Sequence, residues 1–460
     1  VIRVGRKYPD EFKEMLKQKA PIVNVIAQFV HVQQSGNTFV AVCPFHDDKD
    51  PSMQIRPNLN TFGCWACGAG SKDHSTVQSC DVYGFLKGVL RCNLGEAIEW
   101  LANFIHEPLP ALTAEDHRKV QLRHAWVEHC EKAGRRFTEN LMNHKEAYQY
   151  LYHRGFNIHD MLAWQLGYGD DKDQDFINTK ERIVFALHDF YGDLVSFTGR
   201  VLLPDEELNR INQERREKNQ LPIPKYQDRF PIKKDNPYYQ NHPFPEFDKR
   251  NHLYGMHIAK QFIKDWRTAM VVEGWTDVIM LHKCGVKHAV STMGTALTDA
   301  QMELIKRAGA KYVITMRDGD KAGMSAAERD CKIIEGHGLI PLIVPLDNRL
   351  DPFDLCLSYL NEFDSEGLVK FIDKNKRTYQ QWLIQKVYNE TQEDILYHHA
   401  QIAGLQNMRI QQVIEILSRV ESPVEQDIYL HQASDLFNIS YGALSEHVRN
   451  FKSKKIHLVS

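Results

Sequence analysis

A chain of 460 residues is too long for a single hydrophobic core and implies two to four domains. It is 43% hydrophobic and 25% charged, with no apolar run long enough to span a bilayer, which excludes a membrane-embedded protein. The net charge of −3 gives no bulk attraction for nucleic acid, so a polyanionic partner has to be held by local basic patches and metal ions. Val1-Ile2-Arg3-Val4-Gly5-Arg6-Lys7 lacks the apolar stretch of a signal peptide. Nine cysteines, an odd number, then point to reduced thiols in a cytoplasmic protein.

The first informative segment pairs Cys43-Pro44-Phe45-His46 with Cys64-Trp65-Ala66-Cys67 across a gap of seventeen residues. Two such knuckles supply four soft or borderline ligands, enough to close a tetrahedron around Zn²⁺ with no open position, so the site is expected to be structural. Phe39 to Val42 reads as a strand entering the first knuckle. Met53 to Ile55 and Thr61 to Gly63 read as a hairpin around Pro57-Asn58-Leu59-Asn60. The pattern is a zinc ribbon. Cys80, Cys92 and His74 follow closely, but lone thiols are small buried hydrophobes more often than ligands, and none of the three is assigned to metal. The expected zinc-binding domain is 1–106. A linker at 107–120 opens on Glu107-Pro108-Leu109-Pro110, and a largely helical stretch from Gln121 to about Tyr152 begins a domain spanning 121–266.

Residues 267–358 alternate in the β-α-β-α-β-α-β pattern of a parallel, Rossmann-like sheet. Ala269 to Val272 is a buried strand ended by Glu273-Gly274, and Trp275 to Cys284 is helical. Lys287 to Ser291 is the next strand, and Thr298-Asp299-Ala300-Gln301 is a capping box opening a helix to about Ala308. Lys311 to Met316 delivers Asp318-Gly319-Asp320. A helix over Ala322 to Glu335 then leads to a strand at Leu339 to Val344. Ligands in such folds lie outside the carboxyl ends of the strands, where Glu273, Asp318 and Asp320 all fall. Carboxylates gathered there suit Mg²⁺ or Mn²⁺ held against phosphates. Asp351 and Asp354 of Asp351-Pro352-Phe353-Asp354 are placed to orient a second ion or its waters.

Val272-Glu273-Gly274-Trp275-Thr276-Asp277-Val278, Ser291-Thr292-Met293-Gly294-Thr295-Ala296-Leu297-Thr298 and Asp318-Gly319-Asp320-Lys321-Ala322-Gly323 resemble the TOPRIM domain of DnaG-type bacterial and phage primases. Cys-Pro-Phe-His with Pro51-Ser52-Met53 is similar to the CHC2-type zinc-binding domain of that family. Tyr150 to Phe156 and Leu166-Gly167-Tyr168 resemble the start of its polymerase core. Arg182 to Phe185, Phe197-Thr198-Gly199-Arg200 and Pro224-Lys225-Tyr226 resemble its basic subdomain, and Phe247-Asp248-Lys249-Arg250 and Leu253-Tyr254-Gly255 resemble the segment leading into TOPRIM. The resemblance covers roughly residues 10 to 360. It implies that Glu273, Asp318 and Asp320 are catalytic ligands of Mg²⁺ or Mn²⁺, supported by Asp277 and Asp351. Arg200, Lys225, Lys249 and Arg250 would bind template or nucleotide phosphates, and Cys43, His46, Cys64 and Cys67 would carry one structural zinc.

Three features depart from the family pattern. Arg317 stands before Asp318, where it would contact a triphosphate or lower the charge of the acidic cluster. Phe353 replaces a carboxylate, and Pro204 to Pro222 has the look of a charged insertion. Residues 359–460 read as a helical C-terminal subdomain, with Ser422-Pro423-Val424-Glu425 capping one helix and Ile439-Ser440 another. That tail is expected to be too short for the family's full helicase-binding domain, and no G-x-x-x-x-G-K-[ST] motif marks a fused motor.

The implied activity is a DNA primase, a nucleotidyltransferase making short RNA primers on single-stranded DNA from ribonucleoside triphosphates. The expected protein is a monomer, localised by a replicative helicase on a separate chain. Two alternatives stay open: a TOPRIM nuclease or topoisomerase, and a non-catalytic zinc-containing single-stranded-DNA-binding replication factor.

Overall fold

A computed structural model of the chain describes residues 8–72, 77–111, 114–170, 176–227, 248–294, 296–347, 350–362, 365–398 and 402–457. His74, Phe247, Thr295 and Val1 to Lys7 lie outside the described residues. The architecture is mixed α/β, with three sheets and a helical tail. Among the described residues no helix is long and apolar enough to cross a membrane.

The zinc module is an antiparallel meander of four strands: β1 (Val32–Ser35), β2 (Thr38–Ala41), β3 (Met53–Arg56) and β4 (Thr61–Cys64). Alternate residues Ala41, Met53, Ile55, Phe62 and Cys64 face inward, as the two-residue period of a strand requires. They pack with Phe85, Leu86 and Leu101 from the Val82–Leu90 and Leu94–Phe104 helices. The register Ala41↔Met53↔Cys64 puts the ends of β2 and β4 level on either side of β3, so the two knuckles start from the same end of the sheet.

The next domain opens earlier than expected, with an Ala114–Asn143 helix, so that the described linker shrinks to residues 107–111. Glu115 and Asp116 in its first turn favour the helix's positive end and explain the early start. Its Trp126, Cys130 and Phe137 pack on an antiparallel sheet of β5 (Gly167–Gly169), β6 (Arg182–His188), β7 (Leu194–Val201) and β8 (Tyr226–Gln227). The charged 204–222 stretch is mostly an Asp205–Glu217 helix.

The central sheet runs β10-β9-β11-β12, all parallel, from β9 (Thr268–Val272), β10 (Ala289–Ser291), β11 (Tyr312–Thr315) and β12 (Ile340–Ile343). Met270, Val272 and Ile314 fill one core, whereas Ala269, Val271 and Val313 fill another on the opposite face. Strand order reverses between β9 and β11, a switch point at which open α/β sheets leave a crevice. The sheet does not stop at the expected boundary of residue 358. β13 (Arg377–Thr378) joins β12 antiparallel, a long-range pairing with no local signature. Beyond it, the Tyr379–His398, Ile402–Ser418, Pro423–Phe437 and Tyr441–His457 helices enclose their own core around Ile384, Val413, Leu417, Leu430 and Leu444.

Candidate metal centres and nucleic-acid interface

Glu273 and Asp318 leave adjacent strands at the switch point, one directly after β9 and the other just beyond β11. The Glu273 carbonyl accepts hydrogen bonds from Ser291 Oγ (2.6 Å) and the Gly294 amide (3.0 Å). Met293 and Gly294 both take positive φ, 62° and 72°, which folds the loop after β10 back under Glu273. A left-handed methionine is a strained backbone, of the kind that persists where surrounding bonds over-determine it.

The other carboxylates are fixed by the starts of helices. Asp320 Oδ1 accepts from the Gly323 amide (2.7 Å) and caps the Lys321–Gly336 helix. Asp351 Oδ1 accepts from the Asp354 amide (2.7 Å) and caps the Pro352–Asn361 helix. Asp277 Oδ2 accepts from the Gly274 amide (2.8 Å) in the first turn of the Trp275–Lys283 helix.

The electrostatics record how crowded this edge is. Burial, then the charges of Glu273, Asp351 and Asp320, push Asp318 up to about 6 against the opposing charge of Arg317. Burial, then Asp351, raise Asp277 to about 7 despite the Gly274 bond. Asp318 and Asp277 resist ionising because they are buried and because charged carboxylates stand nearby. A set of hard oxygen donors in mutual repulsion fits a divalent cation.

Phe353, in the position of the missing carboxylate, is buried against Phe156 with ring centroids 5.9 Å apart. The Arg154 guanidinium lies 4.4 Å from its ring centroid. Asp354 is exposed, and its carboxyl is raised by burial and by Asp351, with Arg154 opposing. Arg154 was not singled out as a site residue from the sequence, although it falls within the Tyr150 to Phe156 motif. Arg317 does not reach toward an open triphosphate site. Its side chain is 2% exposed and paired with Asp330 through Nε to Oδ2 at 2.7 Å.

The four basic residues have different surroundings. Arg200 is in the core, 1% exposed, bonded to Tyr150 Oη and lying over the Tyr150 and Tyr226 rings at 5.2 and 5.9 Å. Lys225 is exposed just before β8. Lys249 Nζ donates to the Met293 carbonyl (3.3 Å), placing it against the loop beneath Glu273. Arg250 is exposed and forked onto Asp248, the shortest contact being Nη2 to Oδ2 at 2.7 Å.

In the zinc module, ligand atoms of Cys43, His46, Cys64 and Cys67 all lie within 4.8 Å of one another. Cys80 and Cys92 are outside that group. His46 Nδ1 is buried with no hydrogen-bond partner among the described residues, while Nε2 lies 3.5 Å from Asp48 Oδ1. A ligating histidine shows this arrangement, one nitrogen reserved for metal and the other aimed at a carboxylate. Asp48 also accepts from the Cys43 amide (2.8 Å) and Ser52 Oγ (2.6 Å), which hold its carboxyl below the usual range. The ligand spacing carried no hint of Asp48. Trp65, inside the second knuckle, is 79% exposed.

The module contacts the core through Glu96, which accepts from Arg307 Nη2 at 2.6 and 2.5 Å and from Tyr191 Oη at 2.8 Å. Arg307 ends the Asp299–Ala308 helix near the start of β11, so this contact lies at the amino edge of the sheet, opposite the carboxylates.

A CHC2 zinc finger family matches residues 8–116, a Toprim-like family residues 270–356, and the DnaB-helicase binding domain of primase residues 410–440. The last match finds a helicase-binding likeness over residues 410–440 of the helical tail, which has its own core and was expected to be too short for the full domain. The DNA primase of Halalkalibacterium halodurans is 26% identical over 477 residues, covering 96% of this chain and 71% of that protein. The DNA primase of Campylobacter jejuni is 28% identical over 370 residues, covering 74% of this chain and 54% of that protein. The RNA polymerase domain of Mycobacterium tuberculosis primase DnaG, solved with double-stranded DNA, shares the fold. Its TM-score is 0.52 at 18% identity, over 69% of this chain and 99% of that one. With its zinc ribbon, Toprim-like sheet and primase tail in this order, the chain belongs to the DnaG-type DNA primases.

Proposed function

We propose that the chain synthesises short RNA primers on single-stranded DNA from ribonucleoside triphosphates, acting as a DNA-directed RNA polymerase of the nucleotidyltransferase class. What supports this is the position of Glu273, Asp318 and Asp320 at the strand ends of the switch point, where burial and then the charges of Glu273, Asp351 and Asp320 raise Asp318 to about 6. Glu273, Asp318 and Asp320 would hold Mg²⁺ or Mn²⁺, with Asp277 and Asp351 behind them. The ion supplies neutralisation of the charge that builds on the transferring phosphoryl group. In the reaction a ribose 3′-oxygen bonds to the α-phosphorus, the bond to the bridging oxygen breaks, and pyrophosphate leaves.

Lys249, whose Nζ donates to the Met293 carbonyl in the loop beneath Glu273, would meet nucleotide phosphates. Lys225 and Arg250, both exposed, would track the template backbone. Arg200, buried between two tyrosines, would act on that surface only by fixing β7 against β8. The Cys43, His46, Cys64 and Cys67 set would hold one structural zinc, and the exposed ring of Trp65 would stack on a template base. Residues 410–440 would dock a replicative helicase, compensating for a near-neutral chain that binds DNA weakly on its own.

The test incubates labelled ribonucleotides, single-stranded template and Mg²⁺ or Mn²⁺ with wild type and Asp318→Ala. Short RNA products that disappear in the variant support priming. Cut DNA would point to a nuclease or topoisomerase, and the absence of either product to a binding factor.

A further inference from the structure

Arg317 departs from the family pattern, and its bonds give it a role that its position in the chain does not announce. Its Nε donates to Asp330 Oδ2 (2.7 Å), and Thr315 Oγ1 donates to that same oxygen (3.0 Å). Its Nη1 donates to Thr292 Oγ1 (3.0 Å). One buried guanidinium therefore joins three segments. The first is the strand end that carries Asp318, its immediate neighbour in the chain. The second is the Lys321–Gly336 helix, which bears Asp330 and begins at Asp320. The third is the loop whose Ser291 hydroxyl and Gly294 amide grip the Glu273 carbonyl.

Thr292 is tied into that loop on both sides. Its amide donates to the Val272 carbonyl (3.2 Å), and the next amide, of the strained Met293, donates to Ser291 Oγ (2.8 Å). A shift of the guanidinium is thus passed to the support of Glu273 and to the base of Asp318 at once.

Stability alone is a poor reason to keep such a pair. Both side chains are 2% exposed, and Arg317 Nη2 is buried with no hydrogen-bond partner among the described residues. Buried ion pairs replaced by apolar side chains of similar volume are often neutral or stabilising, whereas removing one partner strands a buried charge. What apolar side chains cannot supply is direction. The planar guanidinium fork fixes two acceptors at set angles, which a compact ammonium cannot do.

We infer that Arg317 is a positioning residue: with Asp330 and Thr292 it holds Glu273, Asp318 and Asp320 in one frame for phosphoryl transfer. The inference rests on the assignment of those three carboxylates to the reacting site, so Asp318→Ala is measured alongside.

The experiment uses the full chain and compares wild type with Arg317→Met/Asp330→Met, in which neither buried charge is left alone. It reads thermal stability, kcat and KM for ribonucleotide incorporation, and Mn²⁺ affinity by electron paramagnetic resonance. The double variant is expected to fold with a melting temperature near the wild type's. Its kcat should fall roughly 10- to 100-fold, with Mn²⁺ affinity falling in a similar range, as for residues that orient metal ligands. KM for the nucleotide should change much less than kcat. Wild-type kcat and Mn²⁺ affinity in a stable double variant would overturn the inference. If the double variant melts far below the wild type, Thr292→Val decides, because it leaves the ion pair intact and removes the loop hydroxyl that accepts from Arg317. A loss of kcat there upholds the role, and an unchanged kcat refutes it. An Asp318→Ala chain that still primes would refute the site assignment itself, a different failure from a wild-type double variant beside an inactive Asp318→Ala.

Discussion

Replacing Gly319 by alanine separates the geometry of the acidic edge from its chemistry, because no carboxylate is touched. Gly319 lies between Asp318 and Asp320, and its amide donates to the Leu350 carbonyl at 2.8 Å. A Cβ at this position would meet the Asp347 carbonyl oxygen at 2.1 Å and the Leu346 carbonyl oxygen at 2.9 Å. Both are backbone atoms and cannot rotate away. Ordinary contact begins near 3.4 Å, so the segment carrying the two aspartates and the segment leading to Asp351 must part by about 1.3 Å. Overpacking of this kind costs about 1–3 kcal/mol of stability, which a chain of this size survives. Displacing reacting groups by an ångström costs on the order of 100-fold in rate. Primer synthesis under saturating nucleotide should therefore fall about two orders of magnitude while circular dichroism and cooperative melting persist. An alanine variant that folds and primes at the wild-type rate would show that the edge tolerates an ångström of slack, and the reasoning would be wrong.

Asp48→Ala should weaken zinc binding roughly 10- to 100-fold by freeing His46 and the first knuckle, measured by competition with a chromophoric chelator; unchanged affinity would exclude the orienting role. For Asp277, raised to about 7 from 3.8, the folded chain holds a proton that the unfolded chain releases, so its contribution to stability is lost as pH rises from about 4 to about 7. Asp277→Asn should consequently stabilise the chelator-treated protein more at pH 8 than at pH 4, by on the order of a few kcal/mol in urea titrations, and equal effects at both pH values would contradict the shift. Glu96→Ala removes a partly exposed pair with Arg307, with side chains 31% and 20% exposed, worth about 1 kcal/mol after screening. Cleavage of the 107–111 segment by a protease should rise roughly fivefold in that variant, and unchanged cleavage would mean that the contact does not hold the module in place.

Local signals in the sequence were dependable. Thr298 and Gln301 form the reciprocal cap expected of them, and Gly309 ends that helix with φ 97°. The knuckle spacing matches four side chains whose ligand atoms lie together, and Glu273 and Asp318 leave their strands where the hydrophobic runs end. Contacts between residues distant in sequence were not legible. Asp330 is a helical residue with nothing to mark it as the partner of Arg317, and Glu96 meets Arg307 across 211 positions. Arg200 was expected to bind template or nucleotide phosphates, which would put it at the surface. Only the pairing of β7 with β8 and the nearby tyrosine rings shows why it can be buried. β13 is two residues long, too short for any periodicity to announce it.

Asp277, Asp320 and Asp351 each accept from one backbone amide at the start of a different helix, Gly274 at the cap for Asp277 and a first-turn amide for the other two. Three helices thus aim their positive ends at one edge of the sheet, and their peptide dipoles offset part of the repulsion that gathering so many negative charges creates. The same bonds settle the side-chain rotamers beforehand, so capturing an ion sacrifices little side-chain entropy, and the second oxygen of each carboxylate remains for the ion. Substitutions that fray one of these helix starts, even several residues from any carboxylate, should therefore loosen metal binding before they loosen the fold.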